Sequence, residues 1–133
     1  MATLSPRKKR FLIALPLGVV AGLICTWLAS SSAPDIWGTA LMWTIILNRW
    51  TIGLVVAFAG VYMRHPVFDF RIPPYFRGFM LGVFVSLSLA AGSMMSPETP
   101  WSIFWATLVA GGVYGSIIDM IATRFGGEGK AII

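Results

Sequence analysis

The sequence predicts an all-α, polytopic membrane protein in which four transmembrane helices form two hairpins within a single domain, residues 1–133. Mean hydropathy is +0.81 and only 11% of the residues are charged, whereas a soluble domain has about a quarter charged residues. Four apolar runs also approach or exceed the roughly 20 residues that cross a hydrocarbon core. Composition and run length therefore indicate the same class.

The four runs predict helices over about 11–30, 36–63, 75–94 and 101–125. The segments "SSSAPD" and "SMMSPETP" between them are rich in turn-forming Ser and Pro. The segment "RHPVFDFRIPPYFRG" is a longer connection, because its three prolines oppose a continuous helix. The basic start "RKKR" and the apolar run after it also resemble a secretory signal peptide. That run is long for a signal peptide, so we expect a membrane span.

Basic residues fall almost entirely on one side of a four-span chain. The two connections on the other side contain Asp35 and Glu98 and no basic residue. Nine of the ten basic residues lie before the first span, between the second and third, or after the fourth: Arg7, Lys8, Lys9, Arg10, Arg64, Arg71, Arg77, Arg124 and Lys130. The positive-inside rule then predicts a multi-pass protein of the cell inner (cytoplasmic) membrane with both termini in the cytoplasm.

The net charge of +5 does not indicate nucleic acid as a partner. The basic residues cluster between apolar runs, where topology signals belong, and form no patch suited to a nucleic-acid backbone. The expected partners are membrane lipids, further copies of this chain or other membrane subunits.

The two predicted hairpins resemble each other in sequence. "LGVVAGLICTWLASSSAPDIW" and "LGVFVSLSLAAGSMMSPETPW" share six identical residues at an offset of 64, among them the pairs Gly18 and Gly82, and Trp37 and Trp101. Both segments begin on the basic side, so a repeat would be parallel, with its axis along the membrane normal. Six matches between apolar helices also arise by chance, so duplication and coincidence both stay open.

Small residues recur at helical spacing along the predicted helices. Such stripes let backbones approach closely, which favours helix packing in lipid. We expect most of them to be packing seams within the bundle, and any that face outward to mediate oligomerisation. The predicted seam residues are Gly18, Gly22, Gly53, Gly78, Gly82, Gly111 and Gly115.

Two charged residues lie inside predicted spans, and each lies on a face that carries glycine. Arg49 shares its face with Gly53, and Asp119 shares its face with Gly115. A charge within the membrane turns inward and finds partners, so these faces predict a buried polar site. Arg49 itself either fixes helix register as a polar packing residue or forms a binding site.

The expected members of this site are Asn48, Arg49, Tyr114 and Asp119. Tyr114 lies at a depth similar to that of Arg49, and its ring or hydroxyl suits the guanidinium. Asp119 lies about 9 Å deeper by helix rise. It is therefore either a distant member of the site or only a counter-ion for Arg77 or Arg124.

No motif for catalysis, metal binding or cofactor binding occurs in the sequence, which contains one cysteine and one histidine. We therefore expect no metal, no cofactor and no enzymatic activity. The expected function is that of a small integral membrane protein that acts by helix packing, as a homo-oligomer or as an accessory or scaffold subunit of a larger complex. The alternative is an oligomeric small transporter or channel in which Arg49 contacts an anion or a lipid headgroup within the membrane.

The segments "NRWTIG" and "GGVYGSIIDMIATRFGG" together resemble small four-span membrane proteins of prokaryotes that have no assigned function. The resemblance covers about the last ninety residues. It implies a four-helix membrane fold and no particular activity.

Overall fold

A computed structural model describes residues 3–132 of the chain; residues 1, 2 and 133 of the expected domain lie outside the described residues. Four helices dominate it: α1 (Pro6–Ala29), α2 (Ala40–Ala59), α3 (Pro74–Ser93) and α4 (Trp101–Gly126). Each is long and apolar enough to cross a membrane, and the described residues contain no strand beyond one isolated bridge. The predicted all-α fold with four membrane-spanning helices is confirmed.

Two of the four predicted helices, the first and the second, have boundaries that differ from the structure by several residues. The first helix begins at Pro6 rather than near residue 11, because the Ser5 side chain caps it by accepting from the Lys8 backbone N–H. The "RKKR" run therefore lies inside α1. The second helix begins at Ala40 rather than near residue 36, because a short 3-10 turn and Gly38 with φ +82° precede it. It also ends earlier than predicted, at Ala59.

The helices pack as two antiparallel hairpins, α1 with α2 and α3 with α4, and the contacts between hairpins are densest between α1 and α4. The glycines lie where backbones meet. A Cβ on Gly18 would approach the Arg49 carbonyl oxygen to 2.8 Å, and one on Gly22 would approach the Ile46 Cα to 2.7 Å. The other five predicted seam glycines likewise face the backbone or a side chain of the partner helix in their own hairpin.

The two hairpins make corresponding contacts. In the first, Gly53 faces Ala14 and Gly18; in the second, Gly115 faces Gly78 and Gly82. The first helices of the hairpins thus correspond at an offset of 64 residues and the second helices at 62. Trp37 and Trp101 are therefore not equivalent, since the 3-10 turn and Gly38 lengthen the first connection. Matching contacts at fixed offsets are what a parallel repeat would produce.

The distribution of polarity is the reverse of that in a water-soluble protein. Large apolar side chains such as Trp27, Phe84 and Trp105 are mainly exposed, while Arg10, Arg49 and Asp119 are buried. An apolar exterior around four helices of this length suits hydrocarbon as solvent. The protein is accordingly a small multi-pass membrane protein.

Candidate functional site

Two groups of buried and half-buried polar side chains lie at different levels of the bundle. The first, the end cluster, lies where α1 and α3 begin and α2 and α4 end; its members are Arg10, Arg77, Asp119, Thr123 and Glu128. The second, the mid-bundle cluster, lies near the middle of α2; its members are Cys25, Asn48, Arg49, Ser86 and Tyr114.

Asp119 is the centre of the end cluster and is 0% exposed. Arg77 donates two hydrogen bonds to the Asp119 carboxylate, from Nε to Oδ2 and from Nη2 to Oδ1, each at 2.7 Å. Arg10 adds a bond from Nη2 to Oδ1 at 2.6 Å, and Thr123 one from its hydroxyl at 3.1 Å. One carboxylate on α4 therefore holds guanidinium groups from α1 and α3 by charge-assisted hydrogen bonds.

Both guanidinium groups use all five of their N–H donors. Arg10 also donates to the carbonyl oxygens of Val56, Ala57 and Gly127 and to the Thr123 hydroxyl. Small residues make room for it, because a Cβ on Gly126 would approach the Arg10 Cα to 2.6 Å.

The remaining donors of Arg77 reach the Tyr62 carbonyl at 2.8 Å, the Thr123 hydroxyl at 3.1 Å and a carboxylate oxygen of Glu128 at 3.0 Å. Two cations and two carboxylates make the end cluster neutral overall. A neutral and fully bonded cluster is what a site deep in low dielectric requires.

Glu128 belongs to a short segment after α4, residues 127–132, called the tail here. Gly127 with φ +85° and Gly129 with φ +63° turn it back across the end of the bundle. The Gly129 N–H donates to the Gly60 carbonyl at 2.7 Å, and Arg7 Nε donates to the Ile132 carbonyl at 2.8 Å. Ile132 itself is buried. The tail is thus packed onto the bundle.

Arg49 occupies the mid-bundle cluster and is 1% exposed. Its Nη1 donates to Asn48 Oδ1 at 2.9 Å and to Ser86 Oγ at 2.7 Å. Its Nη2 approaches Cys25 Sγ at 3.6 Å, a weak contact. Its Cζ lies 5.5 Å from the centroid of the Tyr114 ring, within the range of a cation–π interaction.

The charge of Arg49 differs from every other buried charge in having no counter-ion among residues 3–132. None of the ion pairs of the described residues includes it, and its buried Nε has no hydrogen-bond partner. A buried cation with a free donor is costly unless something neutralises it. The arrangement can therefore accept an anionic group.

A groove of about 650 Å³ lies beside this cluster, between α2 and α3. Its lining carries the polar side chains Thr44, Asn48, Thr51 and Ser88, with Val85 among the apolar ones. The Asn48 amide N–H₂ donates to the Val85 carbonyl at 3.0 Å, while its oxygen accepts from Arg49. Asn48 thus links the wall of the groove to the guanidinium.

The structure brings together three of the four predicted site residues, Asn48, Arg49 and Tyr114. It places Asp119 elsewhere, in the end cluster. Of the two alternatives left open for Asp119, membership of the Arg49 site is not found, because Arg10 and Arg77 surround the carboxylate at the end of the bundle. The other alternative, an ion pair between Asp119 and Arg77, is present in the structure.

Sequence reasoning missed Arg10 as a site residue and treated it as a topology signal. The structure shows that Arg10 faces Gly60 and Gly126, the small residues at the ends of α2 and α4. Finding it required the true start of α1, which the predicted boundary near residue 11 excluded.

The comparison with curated proteins and the comparison with solved structures found no match. A family model with the description "Protein of unknown function (DUF1097)" matches residues 7–123. The match extends beyond the last ninety residues to include α1, and it confirms the expected lack of an assigned function. A prokaryotic origin stays a prediction. Since the match covers well over half of the sequence, the chain belongs to the DUF1097 family.

Proposed function

We propose that this protein is a non-enzymatic anion-binding protein of the cell inner (cytoplasmic) membrane, working as an oligomeric small transporter or channel with Arg49 as its intramembrane anion contact. One observation carries the proposal: Arg49 is buried in the middle of the bundle, and among residues 3–132 it has no carboxylate partner and its Nε has no hydrogen-bond acceptor. Isolated charges within a membrane are rare and mark binding or transport sites.

The chemistry of the cluster favours a ligand with a single negative charge. One guanidinium neutralises one charge, and its other neighbours are a weak thiol contact, a hydroxyl, an amide and an aromatic ring. A multiply charged ion would lose more hydration than these groups replace. Chloride, nitrate and the phosphodiester of a lipid headgroup all meet this requirement.

An anion would reach Arg49 through the groove between α2 and α3. It runs along the first half of α2 and the second half of α3, on the side of Arg49 away from the end cluster. Hydroxyl and amide groups line it within an otherwise apolar exterior, and Asn48 is the side chain that an entering anion would displace.

Anion-dependent stability of the purified protein tests the proposal. Sodium chloride or nitrate is compared with sodium gluconate at equal ionic strength in detergent. At a hundredfold excess over Kd, a bound anion stabilises the folded state by about 2.7 kcal/mol. Wild type and Arg64→Gln, which removes an exposed guanidinium, should both gain this stability. Arg49→Gln should not, and an equal gain in Arg49→Gln would place the anion elsewhere.

A second function, action by helix packing as a homo-oligomer or accessory subunit, is favoured by the same groove. The seam glycines pack within the chain, so they are not available to a partner. The groove instead offers polar side chains on the exterior. In a Cys25→Ser background, Thr44→Cys should form cross-linked dimers, whereas Thr107→Cys, half-buried on α4, should not. Monomers in both variants would oppose this function.

Orientation is tested by labelling intact cells with a membrane-impermeant thiol reagent. Glu98→Cys, between α3 and α4, should react because that connection has no basic residue. His65→Cys, between α2 and α3, should stay unlabelled. Labelling of His65→Cys alone would reverse the proposed topology.

A further inference from the structure

We propose that the end cluster is a phosphate-binding site that Glu128 of the tail occupies as an internal, displaceable ligand. The starting point is its charge. Arg10 and Arg77 share one fixed carboxylate, that of Asp119 on α4. Without Glu128 the cluster would carry one uncompensated positive charge at the end of the bundle.

The two carboxylates differ in how firmly they are held. Asp119 is wholly buried and accepts four hydrogen bonds. The Glu128 side chain is 19% exposed and accepts one bond, from Arg77 Nη1. With one hydrogen bond and some exposure to solvent, Glu128 is held more weakly than Asp119, which is fully buried and accepts four bonds. Glu128 is therefore the carboxylate that an external anion can replace.

Displacing the tail would free more than one donor. Arg77 Nη1 would lose its Glu128 partner, and Arg10 Nη1 would lose the Gly127 carbonyl, while both guanidinium groups stay bonded to the same Asp119 oxygen. The backbone bond from Gly129 to Gly60 would break as well. Two guanidinium groups with free donors suit an oxyanion with several oxygens, and planar guanidinium forks match phosphate.

The position of the cluster defines two sources for the phosphate group. It lies at the end where the basic residues gather, which we place at the cytoplasmic surface. A phosphate dissolved in the cytoplasm and the headgroup of an anionic phospholipid in the inner leaflet carry the same chemistry. In both cases the tail competes with the ligand, and binding releases residues 127–132.

Affinity for inorganic phosphate provides the first test, using full-length protein in detergent. Glu128→Gln removes the competing charge without shortening the tail, so the apparent Kd for phosphate should fall about fivefold, the size expected for loss of a partly exposed ion pair. Glu98→Gln, which neutralises an exposed carboxylate on a distant connection, should leave it unchanged. Equal Kd values for wild type and Glu128→Gln would overturn the proposal.

Hydrogen exchange of the tail amides provides a second test that needs no substitution. Exchange in residues 127–132 should accelerate on phosphate addition or in bilayers that contain phosphatidylglycerol instead of phosphatidylcholine alone. Acceleration with lipid only identifies the headgroup as the source, and acceleration with phosphate only identifies the soluble ion. Unchanged exchange in both conditions would exclude a displaceable tail.

The proposal is independent of the mid-bundle site. Arg49→Gln should keep the phosphate response of the tail. Loss of that response in Arg49→Gln would assign the phosphate effect to Arg49 and refute the site at the end cluster.

Discussion

Replacing Asp119 by Asn should destabilise the protein more than any change at an exposed charge. The carboxylate accepts three bonds from two guanidinium groups, at 2.6 to 2.7 Å, and one from Thr123 at 3.1 Å. Asn keeps the shape but places an N–H₂ group among these donors and leaves the end cluster with an extra positive charge. Removing one partner of a buried ion pair costs about 3–5 kcal/mol.

A matched exposed pair provides the control. Arg64 and Asp69 form an ion pair whose side chains are 64% and 82% exposed, so Asp69→Asn should cost about 0–1 kcal/mol. Asn also tolerates the φ of +53° at position 69. The free energy of unfolding in detergent is the measurement. If Asp119→Asn cost less than about 1 kcal/mol, the reasoning from a buried, charge-balanced cluster would be refuted.

Two further predictions concern packing and the mid-bundle charge. Gly115→Leu should lower the free energy of unfolding by about 3 kcal/mol, because a Cβ there meets the backbone of Gly78 and overpacking is costly. Gly92→Leu, with open space around the glycine, should change the free energy of unfolding by less than about 0.5 kcal/mol. Equal costs for the two variants would contradict the interpretation of Gly115 as a packing seam. The free energy of unfolding of Arg49→Leu should lie within about 2 kcal/mol of the wild-type value, because apolar residues often replace buried charges without loss of stability. The variant should nevertheless lose the anion-dependent stabilisation. Arg49→Lys should retain a weakened response, since it keeps the charge but not the planar fork; a full response in Arg49→Leu would show that the charge binds no anion.

The sequence was sufficient for the fold because lipid imposes simple rules. A run of about 20 apolar residues is a span, and prolines and serines mark the connections. Boundaries were less predictable. The start of α1 depends on the Ser5 cap, and that of α2 on the φ of Gly38, which are local features that hydropathy does not contain.

Some residues of the candidate site could also be predicted from the sequence, and others could not. Arg49 stood out because a charge within an apolar run is conspicuous, and helix spacing placed Tyr114 at its level. For Asp119 the sequence left two alternatives open, membership of the Arg49 site or pairing with Arg77 or Arg124, and it did not identify Arg10 as a partner, because Arg10 looked like an ordinary residue flanking a membrane span. The burial of Arg10 and Arg77 depends on how four helix ends and the tail meet, and spacing along a single helix cannot reveal such a meeting.

The correspondence of the two hairpins bears on what the buried charges are for. At offsets of 64 and 62 residues, the counterparts of Arg77, Asp119 and Arg49 are Ile13, Ala57 and Gly111. At each of these three positions, one hairpin has a charged residue and the other has an apolar or small residue, although the backbone contacts of the two hairpins match. Helix packing of this geometry does not require the charges. The desolvation of Arg77 and Asp119 is offset by their own ion pair. The charge of Arg49 has no such partner among the described residues, and a bound anion is what we propose to offset its desolvation.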